Sequence, residues 1–280
     1  MSNVTKAWSF LAIMSLTLIV LGHYAAGREG LMLALILVLG VNSYIYFYED
    51  RRILALFSGQ LLEGQDPYGV CDIAKRLATK ARISTPKIVV LNEQAPQAAV
   101  VGRSLTHGTL ILTEGLIRKL TPAELEGVIA YQIASIRTLN TLAFAVGSFL
   151  ASTCLIVTGT LDLALRILIV ERKSNRTAVS QLFTRAAAPF IGLLLRASIH
   201  ASFYLSADQL ASQLIREPRD LAYALWKLDS YSDTLPLAAP LSAAHVFIVS
   251  PLKALPWTRR LAAQPATPIR IKRLIGYFPI

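Results

Sequence analysis

The chain has 280 residues, 54% of them hydrophobic and only 16% charged, with a net charge of +11. A soluble domain carries roughly 25% charged residues, so these values exclude a disordered segment, a fibrous repeat and an ordinary cytosolic enzyme. They point to a chain partly dissolved in lipid, with enough polar sequence for one compact water-facing domain. The basic excess suits a face lying on anionic lipid. No Lys/Arg-rich run marks a nucleic-acid arm, so no nucleic-acid partner is expected.

Two uncharged apolar runs open the chain, Trp8 to Ala26 and Leu31 to Tyr48. Each is near the ~20 residues that a spanning helix needs. A second span follows the first at once and no small-x-small cleavage pattern separates them, which argues against a removable signal peptide. Tyr44, Tyr46, Phe47 and Tyr48 end the second run as an aromatic belt does. Lys6 precedes the pair and Arg51 and Arg52 follow it, so the positive-inside rule places both ends of this hairpin in the cytoplasm.

A third apolar run covers Leu139 to Leu161, and a fourth, Ala186 to Leu205, contains Arg196 and His200. Between them lie Arg166, Arg172, Lys173, Arg176 and Arg185 against Asp162 and Glu171. A basic outer loop conflicts with the orientation of the first hairpin, which leaves open whether the second one crosses. Arg196 is read as a snorkelling charge or as a partner for the polar groups beside Asp208.

The polar sequence reads as α/β. Residues Tyr68 to Ala81 form an amphipathic helix, with Val70, Ile73, Ala74 and Leu77 on one face. Strands are expected at Lys87–Leu91, Gln97–Gly102 and Thr109–Leu112, with a turn at Thr106-His107-Gly108. A helix is expected at Thr113–Lys119. Thr121, Pro122 and Glu124 then give a capping box with proline at the first helical position. Leu125, Val128, Ile129 and Ile133 follow at helical spacing. Later come an apolar helix at Leu221–Leu228, a stretch read as loop around Pro236, Pro240, Pro251 and Pro256, and a short basic helix from Thr267 to Leu274. Cys71 lies in polar and Cys154 in apolar sequence, so no disulfide is expected. His23, His107, His200 and His245 show no metal-binding spacing.

Several of these motifs, in this order, resemble the HtpX family of membrane zinc metalloproteases. They are the opening hairpin, the strand ending in Gly102, the stretch Thr109 to Leu116, the string Leu120-Thr121-Pro122-Ala123-Glu124-Leu125-Glu126-Gly127-Val128-Ile129-Ala130, a second hairpin, Ala207-Asp208, and Pro268-Ile269 with Arg273-Leu274. The resemblance implies an α+β integral membrane protein with transmembrane helical hairpins and a gluzincin-like metallopeptidase domain. It implies an anchor hairpin at 1–48, a cytoplasmic domain in two parts at 49–138 and 206–280, and an intervening hydrophobic hairpin with a basic linker at 139–205. The implied location is the inner membrane, multi-pass.

The resemblance fails at the chemistry. The family carries H-E-x-x-H on the helix after Ala130, where two His on one face bind Zn²⁺ and the Glu activates water. Here Tyr131 and Ser135 replace the ligands and Gln132 the base. The third ligand is the Glu of E-x-x-A-D, and its position holds Tyr204. An Asn and an Asp of the family pattern match Thr138 and Asn140. Catalytic zinc needs about three protein ligands, and an amide has no useful basicity near neutral pH. No cofactor is therefore expected. The tyrosines are read as filling the vacated volume. His200, Tyr204 and Asp208, at i, i+4 and i+8, are a candidate rebuilt metal or hydrogen-bond cluster. Ser135 as a nucleophile lacks a base within one turn, and Glu124 and Glu126 read as cap and surface charges.

The expectation is thus a catalytically inactive pseudoprotease, a structural or regulatory subunit of a membrane complex. The alternatives are an active membrane metalloendopeptidase of protein quality control with displaced ligands, and an assembly factor that works through its apolar hairpins. Expected partners are the bilayer and other membrane proteins.

Overall fold

The computed structural model describes residues 3–57, 59–62, 66, 68–169, 182–251 and 264–277. The linker charges Glu171, Arg172, Lys173 and Arg176, and Pro256, lie outside the described residues.

Helix α1 (Asn3–Ala55) is broken at Ala26–Gly27, where Gly27 takes φ +58 and ψ −131. That backbone is open only to residues without a Cβ. The two arms fold back on each other through Gly22 and Gly30, where a Cβ on Gly30 would stand 2.0 Å from the Gly22 carbonyl oxygen. Asn42 donates to Ser15 across the arms at 3.1 Å. Only 17% of the apolar window of α1 is buried by protein, and Leu16, Leu33 and Leu39 point outward. That surface needs lipid.

Helix α5 (Asn140–Ile169) is also long and apolar enough to cross a membrane. It packs against α1 and α6 (Leu182–Ser198). Asp162 reaches from α5 to accept the N–H groups of Phe183 and Thr184 at 2.8 and 3.1 Å, capping α6 from a neighbouring helix. Glu49 and Arg52 pair with each other near the end of α1, and Arg52 also donates to Ser148 and Ser152 of α5 at 3.1 and 2.6 Å. Arg52 therefore ties two helices together, and Arg51 is the exposed one of the two basic residues.

The fourth apolar run is not one continuous helix. It breaks at Ile199–His200, and α7 (Ala201–Leu214) leaves α6 at a 48° bend. His200 is extended, with φ −73 and ψ 148. The run's last residues, through Leu205, thus belong to a helix that packs on the polar domain. The pair can supply one broken span at most.

The polar domain is built on a four-stranded sheet ordered β1-β2-β4-β3. β1 (Gly59–Leu61) and β2 (Lys87–Leu91) are antiparallel, β2 and β4 (His107–Thr113) parallel, and β4 and β3 (Ala98–Ser104) antiparallel. The β3–β4 turn is tighter than expected: His107 already pairs with Ser104, leaving Leu105–Thr106 as the loop. β1 is short and exposed, with no apolar pattern to announce it. Helices α2 (Val70–Ala81), α3 (Glu114–Lys119), α4 (Pro122–Arg137), α8 (Pro218–Thr234) and α9 (Thr267–Ile275) complete the domain. α4 runs through its centre against α2, α7, α8 and β3. Its start carries the expected capping box between Thr121 and Glu124. The Pro-rich stretch is not a surface loop throughout: Leu241–Val246 is a 3-10 turn, and residues 242–249 are buried.

Candidate functional site

Helix α4 is buried nearly all round, because helices and sheet surround it. Tyr131, Gln132 and Ser135 therefore lie inside the protein, and Tyr204 meets them from α7; each is at most 2% exposed. Asn140 fixes the approach of α7 by donating to the Phe203 carbonyl at 2.7 Å.

The hydroxyls are used internally. Ser135 Oγ donates to the Tyr131 carbonyl at 3.0 Å, and Tyr204 Oη donates to the His245 carbonyl at 2.8 Å. The Tyr204 ring packs on Phe144, with centroids 5.5 Å apart. Burial pushes the Tyr131 phenol up; the Arg270 charge opposes this and Asp208 adds to it. Tyr131 is thus a neutral phenol. Among the described residues, Gln132 has no hydrogen-bond partner for either amide atom. Such a group carries a desolvation cost of about 1–3 kcal/mol.

A buried cation sits over this group. Arg270 of α9 makes a two-pronged pair with Asp208, Nε to Oδ2 and Nη2 to Oδ1, both 2.8 Å. Its Nη1 donates to the Ile248 carbonyl at 2.5 Å. Its guanidinium lies 4.8 Å from the centre of the Tyr131 ring, a cation–π distance. Burial works against the Arg270 charge more than any single neighbour favours it, but Asp208, Tyr131 and Tyr204 together hold the group above its ordinary value. His245 lies beside Phe144 and uses Nε2–H to reach the Phe144 carbonyl at 2.8 Å. Burial pulls its pKa down to about 4, and Nδ1 has no partner among the described residues. The same segment covers the outer edge of β3, where Ala99 bridges Phe247 and Ile248 N–H donates to the Ala98 carbonyl at 2.8 Å.

The candidate rebuilt cluster separates. Tyr204 and Asp208 are buried, whereas His200 is exposed ahead of the first turn of α7 and stacks on Phe203. Asp208 finds Arg270 as its partner, and Arg196 is exposed at the end of α6. Sequence reading missed both Arg270 and His245. A signal for Arg270 exists: it shares a helical face with Thr267 and Ile271, unlike Lys272 and Arg273. His245 offers none, since its role depends on a carbonyl 101 residues away.

The model for peptidase family M48 matches residues 68–277. The chain belongs to this family. Protease HtpX homologs resemble the chain along nearly all of its length. The one from Campylobacter concisus is 30% identical, over 97% of this chain and 96% of its own. The one from Pelotomaculum thermopropionicum is 26% identical, over 97% and 98%. The crystal structure of S. mikatae Ste24p shares the fold, with TM-score 0.53 and 15% identity. That match covers 98% of this chain and 65% of Ste24p, so the chain spans about two thirds of that protein's length. The HtpX resemblance and the α+β membrane metallopeptidase fold read from the sequence therefore stand, and the chain is a membrane protein.

Zinc is the metal implied by that family, and the residues here do not fit it. The two tyrosines and Ser135 are neutral or engaged with backbone carbonyls, and the Arg270 cation already faces Tyr131. Among the described residues, no group of three His, Cys, Asp or Glu could hold a metal. No step of catalysis through a metal follows from this arrangement.

Proposed function

We propose that this HtpX-like protein is a pseudoprotease that acts by binding, as a structural or regulatory subunit of a membrane protein complex. The observation that carries the reading is the buried set Tyr131, Gln132, Ser135 and Tyr204, roofed by the Arg270–Asp208 pair. An ion pair that takes both oxygens of Asp208 leaves no carboxylate in this set for water activation. The covered edge of β3 supports binding through surfaces other than the old cleft, since an extended peptide needs such an edge to pair with. In this reading, residues 1–48 anchor the chain in the inner membrane. Residues 49–138 and 206–280 form the cytoplasmic part, and residues 139–205 form the second hairpin. The partners are other membrane proteins.

Purification in mild detergent with mass spectrometry of retained proteins tests the binding role. A discrete stoichiometric complex supports a structural subunit, a spread of unfolded clients supports a regulator that holds polypeptide without cutting it, and no retained protein contradicts both. Survival of that complex after changes in α4, with loss after changes in the hairpin helices, assigns the contact to the hairpins.

Family membership favours a second reading, an active metalloendopeptidase with displaced ligands. It requires chelator-sensitive cleavage of an unfolded protein such as casein, abolished by His200→Ala or Asp208→Ala. Cleavage unchanged by both substitutions, or none at all, rejects it.

A further inference from the structure

A polar cleft of about 500 Å³ opens between α7 and α9. Ser202, Ser206, Gln209 and Ser212 line it from α7, and Arg273 lines it from α9. Asp208 is the acidic wall residue, and Arg270 takes both of its oxygens. Arg273 makes no ion pair with a described carboxylate. The cleft is therefore net positive.

A second cation stands at the rim. Lys6 donates to Ser202 Oγ at 2.9 Å, which leaves the Ser202 hydroxyl proton free to point into the cleft. Lys6 lies two residues before Trp8, where the apolar membrane helix begins. This contact holds the mouth of the cleft at the end of the first membrane arm, the level at which lipid headgroups sit. Ile269 and Arg273 are one turn apart on α9, and the exposed Ile269 adds an apolar foot beside the cation.

We propose that this cleft binds the phosphate of an anionic phospholipid headgroup, with Arg273 and Lys6 as its cations and Ser202 as a hydroxyl donor. Phosphate is the group that matches two cations and a hydroxyl, and the membrane-level rim selects a lipid over a soluble anion. The inference is independent of whether the chain cleaves protein.

Native mass spectrometry of the full chain in detergent, with phosphatidylglycerol or phosphatidylcholine added, tests it. The wild type retains phosphatidylglycerol preferentially. Lys6→Gln and Arg273→Gln each weaken that retention about fivefold, leave phosphatidylcholine unchanged and do not alter thermal unfolding. Arg219→Gln on α8 has no effect. Equal retention of the two lipids, or wild-type retention by the double variant, overturns the proposal. Inorganic phosphate that binds as tightly as the lipid assigns the cleft to a soluble anion and overturns the lipid assignment.

Discussion

At the residue scale, the interior of the polar domain depends on charges and amides that a hydrophobic core does not ordinarily hold. Arg270 and Asp208 satisfy each other, and removing one partner strands the other. Arg270→Met is expected to cost about 3–5 kcal/mol, read as a lower unfolding temperature in detergent, and adding Asp208→Leu should recover most of it. Gln132 gives the opposite sign. Gln132→Leu removes an orphaned amide and is expected to raise stability by about 1–3 kcal/mol. A loss of stability would show that the amide is satisfied in solution. His245 sets a pH dependence. Its folded pKa of about 4 lies below the unfolded value near 6.5, so the unfolded chain binds more protons between those limits. Stability is full above pH 6.5 and falls by about 3 kcal/mol on the way to pH 4. His245→Gln keeps a donor for the Phe144 carbonyl and should flatten that slope in unfolding curves taken across the range.

At the element scale, the first hairpin turns on one backbone conformation. Gly27→Ala should cost about 1–3 kcal/mol, measured by thermal unfolding. Gly40→Ala is the control, because a Cβ there meets nothing within 4 Å. Most elements were legible in the sequence because their signals are local. The capping box at Thr121 and Glu124 marks the start of α4, and the β-branched run Lys87–Leu91 is β2 to the residue. What sequence did not reveal depends on distant partners. The 3-10 turn Leu241–Val246 is buried because α5 and β3 receive it, and prolines around it read as loop. The apolar run through His200 reads as one segment because hydropathy does not register a 48° bend. Arg270 reads as one more basic residue of the tail, and only the fold places Asp208 opposite it.

At the scale of the whole molecule, the family frame and the residues at its centre disagree. The M48 match, the HtpX relatives and the Ste24p-like fold describe a membrane metallopeptidase architecture. Inside it, the positions that hold metal and base in the resembled motif carry two tyrosines, an amide and a serine. The packing of those groups against Phe144, His245 and Arg270 makes them part of the hydrophobic interior. The most direct measurement is the metal content of the full chain, purified without chelator, after equilibration with zinc. The account predicts no stoichiometric zinc, and no change in unfolding temperature on adding zinc or a chelator. One tightly held zinc ion per chain, lost together with protein cleavage on chelation, would contradict it.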